Sequence, residues 1–309
     1  MSQIIESLEK KLGLPGLIKK LTEKFPPSDL NSLLLEIFRK TSQRITGAEL
    51  LKKYENNRFV TPSKYDPVEF REFELLLLKL AKESGYSPME LSPLTPLGTC
   101  SAIATVDQNR ILSSIRGTEV VADATNVLTL ECSKRRKHLK FNETDIQLCT
   151  IHKHVRGQAF KKQGLATHFK IFCLTTAGRD KGNFETEKVS LLNQLILYKT
   201  YFKDHLKLDN FIIRLKALAT NKENILFNNV CDFVESKLKN ITFQRIESGI
   251  DHEQYYRHLQ FKIILLHNDE EFEIGDGGFV DWSQQLTSNR KERLLISGIG
   301  IEFLYNLLK

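Results

Sequence analysis

The sequence predicts an α+β protein, with antiparallel strands flanked by helices and a helical segment ahead of them. Three observations carry this. Apolar residues recur at helical spacing through the first 57 residues, as in Ile4, Ile5, Leu8 and Leu12. A long amphipathic helix is expected over about 67–84, with Phe70, Phe73, Leu77, Leu80 and Ala81 on its buried side. Residues 150–179, TIHKHVRGQAFKKQGLATHFKIFCLTTAGR, read as two strands, Thr150–Ala159 and Thr167–Thr175, around the basic turn Lys161-Lys162-Gln163-Gly164. Val155, Phe169, Ile171, Cys173 and Leu174 are strand-type residues, and Gly164 stands where a turn needs a permissive backbone.

The 309 residues suffice for a large buried core. The simplest division is a helical segment, residues 1–60, and one compact body, residues 61–309. A net charge of +7 and a pI near 9.0 favour phosphate-bearing partners such as a nucleotide or tRNA, although a scattered solvated surface explains the same excess. The five cysteines are odd in number, spread out and free of any CxxC pair. Reduced, buried thiols are expected, with no disulfide framework and no metal site. The amino terminus has no apolar signal core, and no run approaches the roughly 20 apolar residues of a membrane span. A cytoplasmic protein with no membrane partner is expected.

In the helical segment, Gly13 and Pro15-Gly16 break the first helix, and Ser28-Asp29 cap a second whose apolar face is Leu30, Leu33, Leu34, Ile37 and Phe38. A third helix is expected over Gly47–Tyr54. These helices either clamp a partner or pad the core, and packing is the usual role of an amphipathic helix. Gly85 would end the long helix as a C-cap. The prolines of Leu91–Cys100 then prevent a regular helix. In IRGTEVVADATNVLT, residues 115–129, Asp123 opens a helix as an ordinary N-cap would. The basic run Ser133–His138 reads as a solvated helix end. Helices over Phe184–Phe202 and Val230–Leu238 and a strand over Phe211–Leu215 follow. Neither a GxxxxGK loop nor a GxGxxG is present.

In the hairpin, Arg156 can hold a phosphate by two parallel hydrogen bonds, and Phe169 can stack on a base. The same residues also suit a basic hairpin with one core aromatic. The stretch resembles motif 2 of the class II aminoacyl-tRNA synthetases, nearest the histidyl-tRNA synthetase group and the regulatory subunit of ATP phosphoribosyltransferase. That resemblance implies Arg156 on the α-phosphate of ATP, Gln158 where glutamate is usual, and Phe169 on adenine. Two further polar positions of the family are Leu165 and Ile171 here. The order of helix, strand and proline through Leu91–Cys100 is similar to motif 1, the dimer-forming element, and implies a homodimer. Asp123 and Thr125, with Asn126, stand where the family holds the ammonium of its amino acid. Tyr255-Tyr256 followed by Phe261 resembles the family's Tyr-Tyr-x4-Phe strand. Gly277-Gly278-Phe279-Val280-Asp281 resembles its Gly-Gly-Arg-Tyr-Asp turn, and Gly298-Ile299-Gly300-Ile301-Glu302-Phe303-Leu304 resembles motif 3. The implied fold is a class II synthetase-type antiparallel sheet flanked by helices.

The resemblance assigns Arg156, Gln158, Phe169, Gly300 and Glu302 to a nucleotide, ATP with or without Mg2+. It assigns Asp123, Thr125, Tyr255, Tyr256, Gly277 and Gly278 to a small amino-acid-like ligand. It names no catalytic residue. The family's arginines fall here at Phe303, Asp251 and Phe279, which removes cations that stabilise the pentavalent phosphate. The chain ends at Lys309 without the anticodon-binding domain of histidyl enzymes, so ordinary tRNA charging is not expected. Three functions remain open: a degenerate paralogue that binds nucleotide and ligand, a non-catalytic regulatory or interaction subunit with a protein partner, and an adenylate-forming ligase acting on a non-tRNA acceptor. A tRNA-binding factor rests on charge alone.

Overall fold

The computed structural model describes residues 2–139, 145–157, 167–218, 225–246 and 255–309. Gln158, the 161–164 turn, Leu165 and Asp251 lie outside the described residues.

The first helices are α1 (Ser2–Leu12), α2 (Leu17–Glu23), α3 (Pro27–Ser42) and α4 (Gly47–Asn56). Helix α3 begins ahead of the expected Ser28-Asp29 cap. Pro27 opens it, because the first helical position has no intrahelical partner for an N–H, so Ser28 and Asp29 lie inside the first turn. Thr46 and Glu49 form a capping box on α4. No residue of α2, α3 or α4 is buried, and Leu33, Ile37, Phe38, Leu50 and Leu51 remain exposed. These helices do not pad the core. Asn31 Oδ1 of α3 accepts the Arg116 N–H at 2.9 Å, and Arg58, just after α4, donates to the Gly157 carbonyl at 2.6 Å.

The body opens with α5 (Pro67–Glu83), β1 (Ser87–Pro88), β2 (Leu94–Pro96), α6 (Thr99–Ile103), β3 (Thr118–Val120) and α7 (Ala124–Arg136). The central hairpin is β4 (Ile146–Val155) and β5 (His168–Arg179), followed by α8 (Glu185–Lys199), β6 (Phe211–Leu218), α9 (Ile225–Lys237) and β7 (Thr242–Ile246). The last third is β8 (Arg257–His267), β9 (Glu270–Val280), α10 (Trp282–Thr287), β10 (Glu292–Ile299) and α11 (Ile301–Leu308). Asp66 caps α5 by accepting the Val68 N–H at 2.7 Å, and Gly85 leaves it at φ +90°. The extended stretch after α5 ends at Pro96, earlier than the prolines suggest. Gly98 turns at φ +88°, and Glu119 accepts the Gly98 and Cys100 N–H groups, which starts α6 at Thr99.

Eight strands form one sheet in the order β1-β4-β5-β10-β9-β8-β6-β7, while β2 and β3 make a separate ribbon. Among the described residues only the edge pairs β1–β4 and β6–β7 are parallel. Alternation along the strands sorts the side chains into two faces. Phe172, Leu174, Phe261, Ile263, Leu295 and Ile299 pack under α5, α8, α9 and α11 in the main core. Leu148, Cys173, Ala177, Leu294 and Ile296 face α6, α7 and α10 in a smaller core around Trp282. Those three helices leave part of the second face open, and a cavity lies there. All five cysteines are buried and free. The basic end of α7 is not wholly solvated: Arg136 is buried and pairs with Glu292 at 3.0 Å.

Candidate functional site

The open face draws its residues from five adjacent strands at alternate positions. Strand β4 and its extension bring His154 and Arg156, and β5 brings Phe169, Ile171 and Cys173, with His154 opposite Phe169 in the register. Of these Arg156, Ile171 and Cys173 line the cavity, whereas His154 and Phe169 are not among its lining residues. Strand β10 brings Ile296 and Gly298, β9 brings Asp276, and β8 brings Gln260. The chain around 121–123 is laid beside β4 by backbone contacts. Val155 N–H donates to the Val121 carbonyl at 3.2 Å, and Arg156 Nε donates to the Ala122 carbonyl at 3.2 Å. Gly157 N–H donates to the Arg110 carbonyl at 2.8 Å, which brings Arg110 next to Arg156. A Cβ at Gly157 would come within 3.0 Å of that carbonyl, so the close approach depends on glycine.

The cavity has two lobes. One, of about 410 Å³, is lined by Cys100, Arg110, Ile111, Ala122 and Gln260 among others. The second, of about 230 Å³, is lined by Ile171, Cys173, Ile296, Gly298 and Gly300 among others. Asp123, Arg156, Tyr255, Tyr256 and Asp276 belong to both. This is the size and mixed lining of a small-molecule site.

Asp123 is the N-cap of α7, as its sequence position suggests, and more besides. Its Oδ1 accepts the Thr125 N–H at 2.9 Å and the Thr125 hydroxyl at 2.7 Å, while Oδ2 accepts the Tyr255 hydroxyl at 2.8 Å. Burial alone would raise this carboxyl, but His154, Arg156 and the hydrogen bonds from Thr125 and Tyr255 outweigh it and hold the carboxyl below its ordinary range. His154 itself is pushed down to about 3, chiefly by burial, so it is neutral at neutral pH. The Arg156 charge and the hydrogen bonds therefore do the holding. A neutral imidazole fits the geometry, since His154 Nε2 accepts the Ala124 N–H at 2.8 Å.

Tyr255 and Tyr256 form a matched pair, their rings 4.8 Å apart and nearly perpendicular. Tyr256 donates to Asp276 Oδ2 at 2.9 Å, and Gln260 reaches the same oxygen at 3.4 Å. Burial raises the Asp276 carboxyl above its ordinary range, and the nearby Glu273 and Asp123 charges add to that. Both tyrosine hydroxyls are pushed well up, first by burial, and stay protonated as donors. The Arg156 guanidinium sits 5.3 Å over the Phe169 ring, a cation–π contact. Its terminal nitrogens make no hydrogen bond among the described residues.

Other predicted residues lie elsewhere. Glu302 is buried at the start of α11, where it accepts the Lys170 N–H at 3.1 Å, and it is not among the cavity-lining residues. Gly277 and Gly278 sit inside β9 rather than in a turn. Side chains there would strike Ser297 and Phe261 at 277, and the Leu259 carbonyl and the Tyr256 ring at 278. Their part is to let strands and Tyr256 pack closely. Phe279 is buried in the main core, and Phe303 packs toward Phe272 with ring centroids 6.2 Å apart. Arg110, Gln260 and Asp276 are functional candidates that motif reading misses. For Asp276 a signal existed: strand alternation puts it on the same face as Gly278.

The ligand atoms of Asp123, His154 and Cys173 lie within 4.8 Å of one another. Their chemistry does not fit a resident metal ion. The imidazole Nε2 already accepts the Ala124 N–H, and burial pushes the Cys173 thiol well up, away from thiolate.

No family model and no curated protein matches the sequence. Solved structures do. The fold is similar to apo histidyl-tRNA synthetase from S. aureus, at TM-score 0.60 and 12% identity, over 80% of this chain and 68% of that one. It is similar to an ATP phosphoribosyltransferase regulatory subunit/histidyl-tRNA synthetase from Bacillus halodurans, at TM-score 0.61 and 12% identity, over 81% of this chain and 82% of the other. A threonyl-tRNA synthetase structure from Cryptosporidium parvum gives TM-score 0.61 at 8% identity, over 77% of this chain and 63% of that one. At these identities the likeness speaks to the fold alone. The chain has a class II aminoacyl-tRNA synthetase-like fold.

Proposed function

We propose that the protein is a degenerate class II synthetase paralogue that binds a nucleotide, ATP or AMP, together with a small amino-acid-like ligand, without charging tRNA in the usual way. The observation that carries this is the wall shared by the two lobes. Arg156 offers a phosphate, beside the Phe169 ring, guanidinium donors that make no hydrogen bond among the described residues, while Asp123 offers an ionised carboxylate to an ammonium. One cavity thus presents a cation and an anion that form no ion pair with each other. The departures at Phe303 and Phe279 argue for binding rather than catalysis, since apolar packing fills both positions. Of the Glu302 carboxylate, Oε2 accepts the Lys170 N–H of β5.

Replacing Arg156 by alanine is expected to weaken ATP or AMP binding by about 1.5–3 kcal/mol, the range for hydrogen bonds to a charged group. Isothermal titration of the wild type and the variant measures this. Wild-type protein that binds neither nucleotide overturns the proposal in favour of a structural hairpin.

A second reading, an interaction subunit with a protein partner, is favoured by the exposed apolar side chains of α3 and α4. We further propose a homodimer built on Leu91–Cys100, where Leu94 and Leu97 are exposed on and beside β2. Sedimentation at micromolar concentration should give a dimer, and charged residues at Leu94 and Leu97 should dissociate it. A monomeric wild type counts against this assignment.

A further inference from the structure

The site holds two carboxylates, and the amino-acid-like ligand of the proposed function needs only one for its ammonium. We propose that Asp276 selects the ligand's side chain, and that the ligand is an α-amino acid whose side chain ends in a cation. This rests on the proposed reading of the cavity and names its substrate class.

The two carboxylates are set up as separate receptors. Adjacent tyrosines hold them, Tyr255 on Asp123 and Tyr256 on Asp276, each by a hydroxyl donated to a single oxygen at 2.8 and 2.9 Å. Both tyrosines pack against perpendicular neighbours, Tyr255 lying 5.2 Å from the Trp282 ring and 4.8 Å from Tyr256, so the receptors are fixed by packing. Asp123 Oδ1 and Oδ2 are both engaged, whereas Asp276 Oδ1 accepts no hydrogen bond among the described residues. Gln260 approaches only Oδ2, at 3.4 Å. No arginine or lysine among the described residues forms a salt bridge with either carboxylate.

Two anions that repel each other across one cavity leave a site that is better satisfied by two positive centres than by one. An α-ammonium accounts for the first, at the α7 N-cap. The second falls on β9 beside Gln260, in the larger lobe that Arg110 and Ile111 also line. Arg110 and Arg156 remain for the ligand's carboxylate and the nucleotide's phosphate. A neutral aliphatic side chain would instead desolvate Asp276 without replacing its lost water, which discriminates against it.

The test is calorimetric titration of the full chain with L-lysine, L-ornithine, L-arginine, L-norleucine and L-leucine, with saturating AMP and without it. Norleucine has the lysine chain without its amine, so this comparison needs no variant. At least one cationic amino acid is expected to bind roughly 10- to 100-fold more tightly than norleucine. Asp276→Asn, which preserves shape and the Tyr256 contact, is expected to erase that ratio. Equal binding of norleucine and the cationic amino acids, or an undiminished ratio in Asp276→Asn, overturns the assignment of Asp276 and leaves the amino-acid site standing. Failure of every amino acid to bind overturns both this inference and the amino-acid half of the proposed function.

Discussion

Replacing Glu292 with alanine is expected to destabilise the protein by about 3–5 kcal/mol, the range for removing one partner of a buried ion pair. Glu292, at the start of β10, is only 1% exposed and serves two arginines. Arg136 Nε meets Oε2 at 3.0 Å and Arg179 Nε meets Oε1 at 2.9 Å, while Asn289 donates to Oε1 at 3.2 Å. Arg136, at the end of α7, is itself 3% exposed, and its two terminal nitrogens have no hydrogen-bond partner among the described residues. Without Glu292 a buried guanidinium would have no counter-charge, which costs far more than the pair contributes in place. Urea unfolding of wild type and variant measures the loss. Replacing Arg136 as well, by methionine, should return much of it, because a neutral side chain of similar length removes the stranded charge. A Glu292→Ala variant within 1 kcal/mol of wild type would contradict the burial of this pair.

The second large effect concerns chemistry. Amino-acid-dependent pyrophosphate exchange is expected to be absent, or slower by a factor of about 10²–10³ for each missing cation. In the resemblance to class II synthetases, Phe303, Phe279 and Asp251 stand at arginine positions. Phe279 is sealed in the core and Phe303 leans on Phe272, so neither places a polar group in the cavity. Nor do Arg257 and Arg179 replace them. Arg257 is tied to Asp281 at 3.2 Å and Arg179 to Glu292, and neither lines either lobe. Joint replacement of Phe303 and Asp251 by arginine is expected to tighten ATP binding. Brisk exchange with any one amino acid would refute the degenerate reading and point to Arg110 and Arg156 as the working cations.

Much of this was legible because strand alternation and motif order are written locally. The hairpin gave Arg156 and Phe169 on one face of neighbouring strands, and the Asp123 and Tyr255-Tyr256 positions converge on the same cavity. What the sequence concealed depends on long-range meetings. Arg110 joins the site only because Gly157, far along the chain, receives its carbonyl. Arg136 looks like part of a solvated basic run until Glu292, on a distant strand, pairs with it. Gly277-Gly278 reads as a turn, yet lies inside β9, since what glycine supplies there is room for neighbours rather than freedom of backbone. The amino-terminal helices have the stripe of packed helices, and periodicity alone does not tell which surface, if any, will cover it.

The ends of the eight-stranded sheet also bear on how the folded protein behaves when crowded with its own kind. An outermost strand with free backbone groups is a template for cross-β growth. One margin here is β1, two residues long, and its Pro88 has no N–H to offer. The other is β7, where Arg245 is clamped by Asp232 and Glu235 of α9, so an incoming strand would meet a fixed cluster of charge. Both margins of this sheet are thus blunted against edge-to-edge pairing between folded copies.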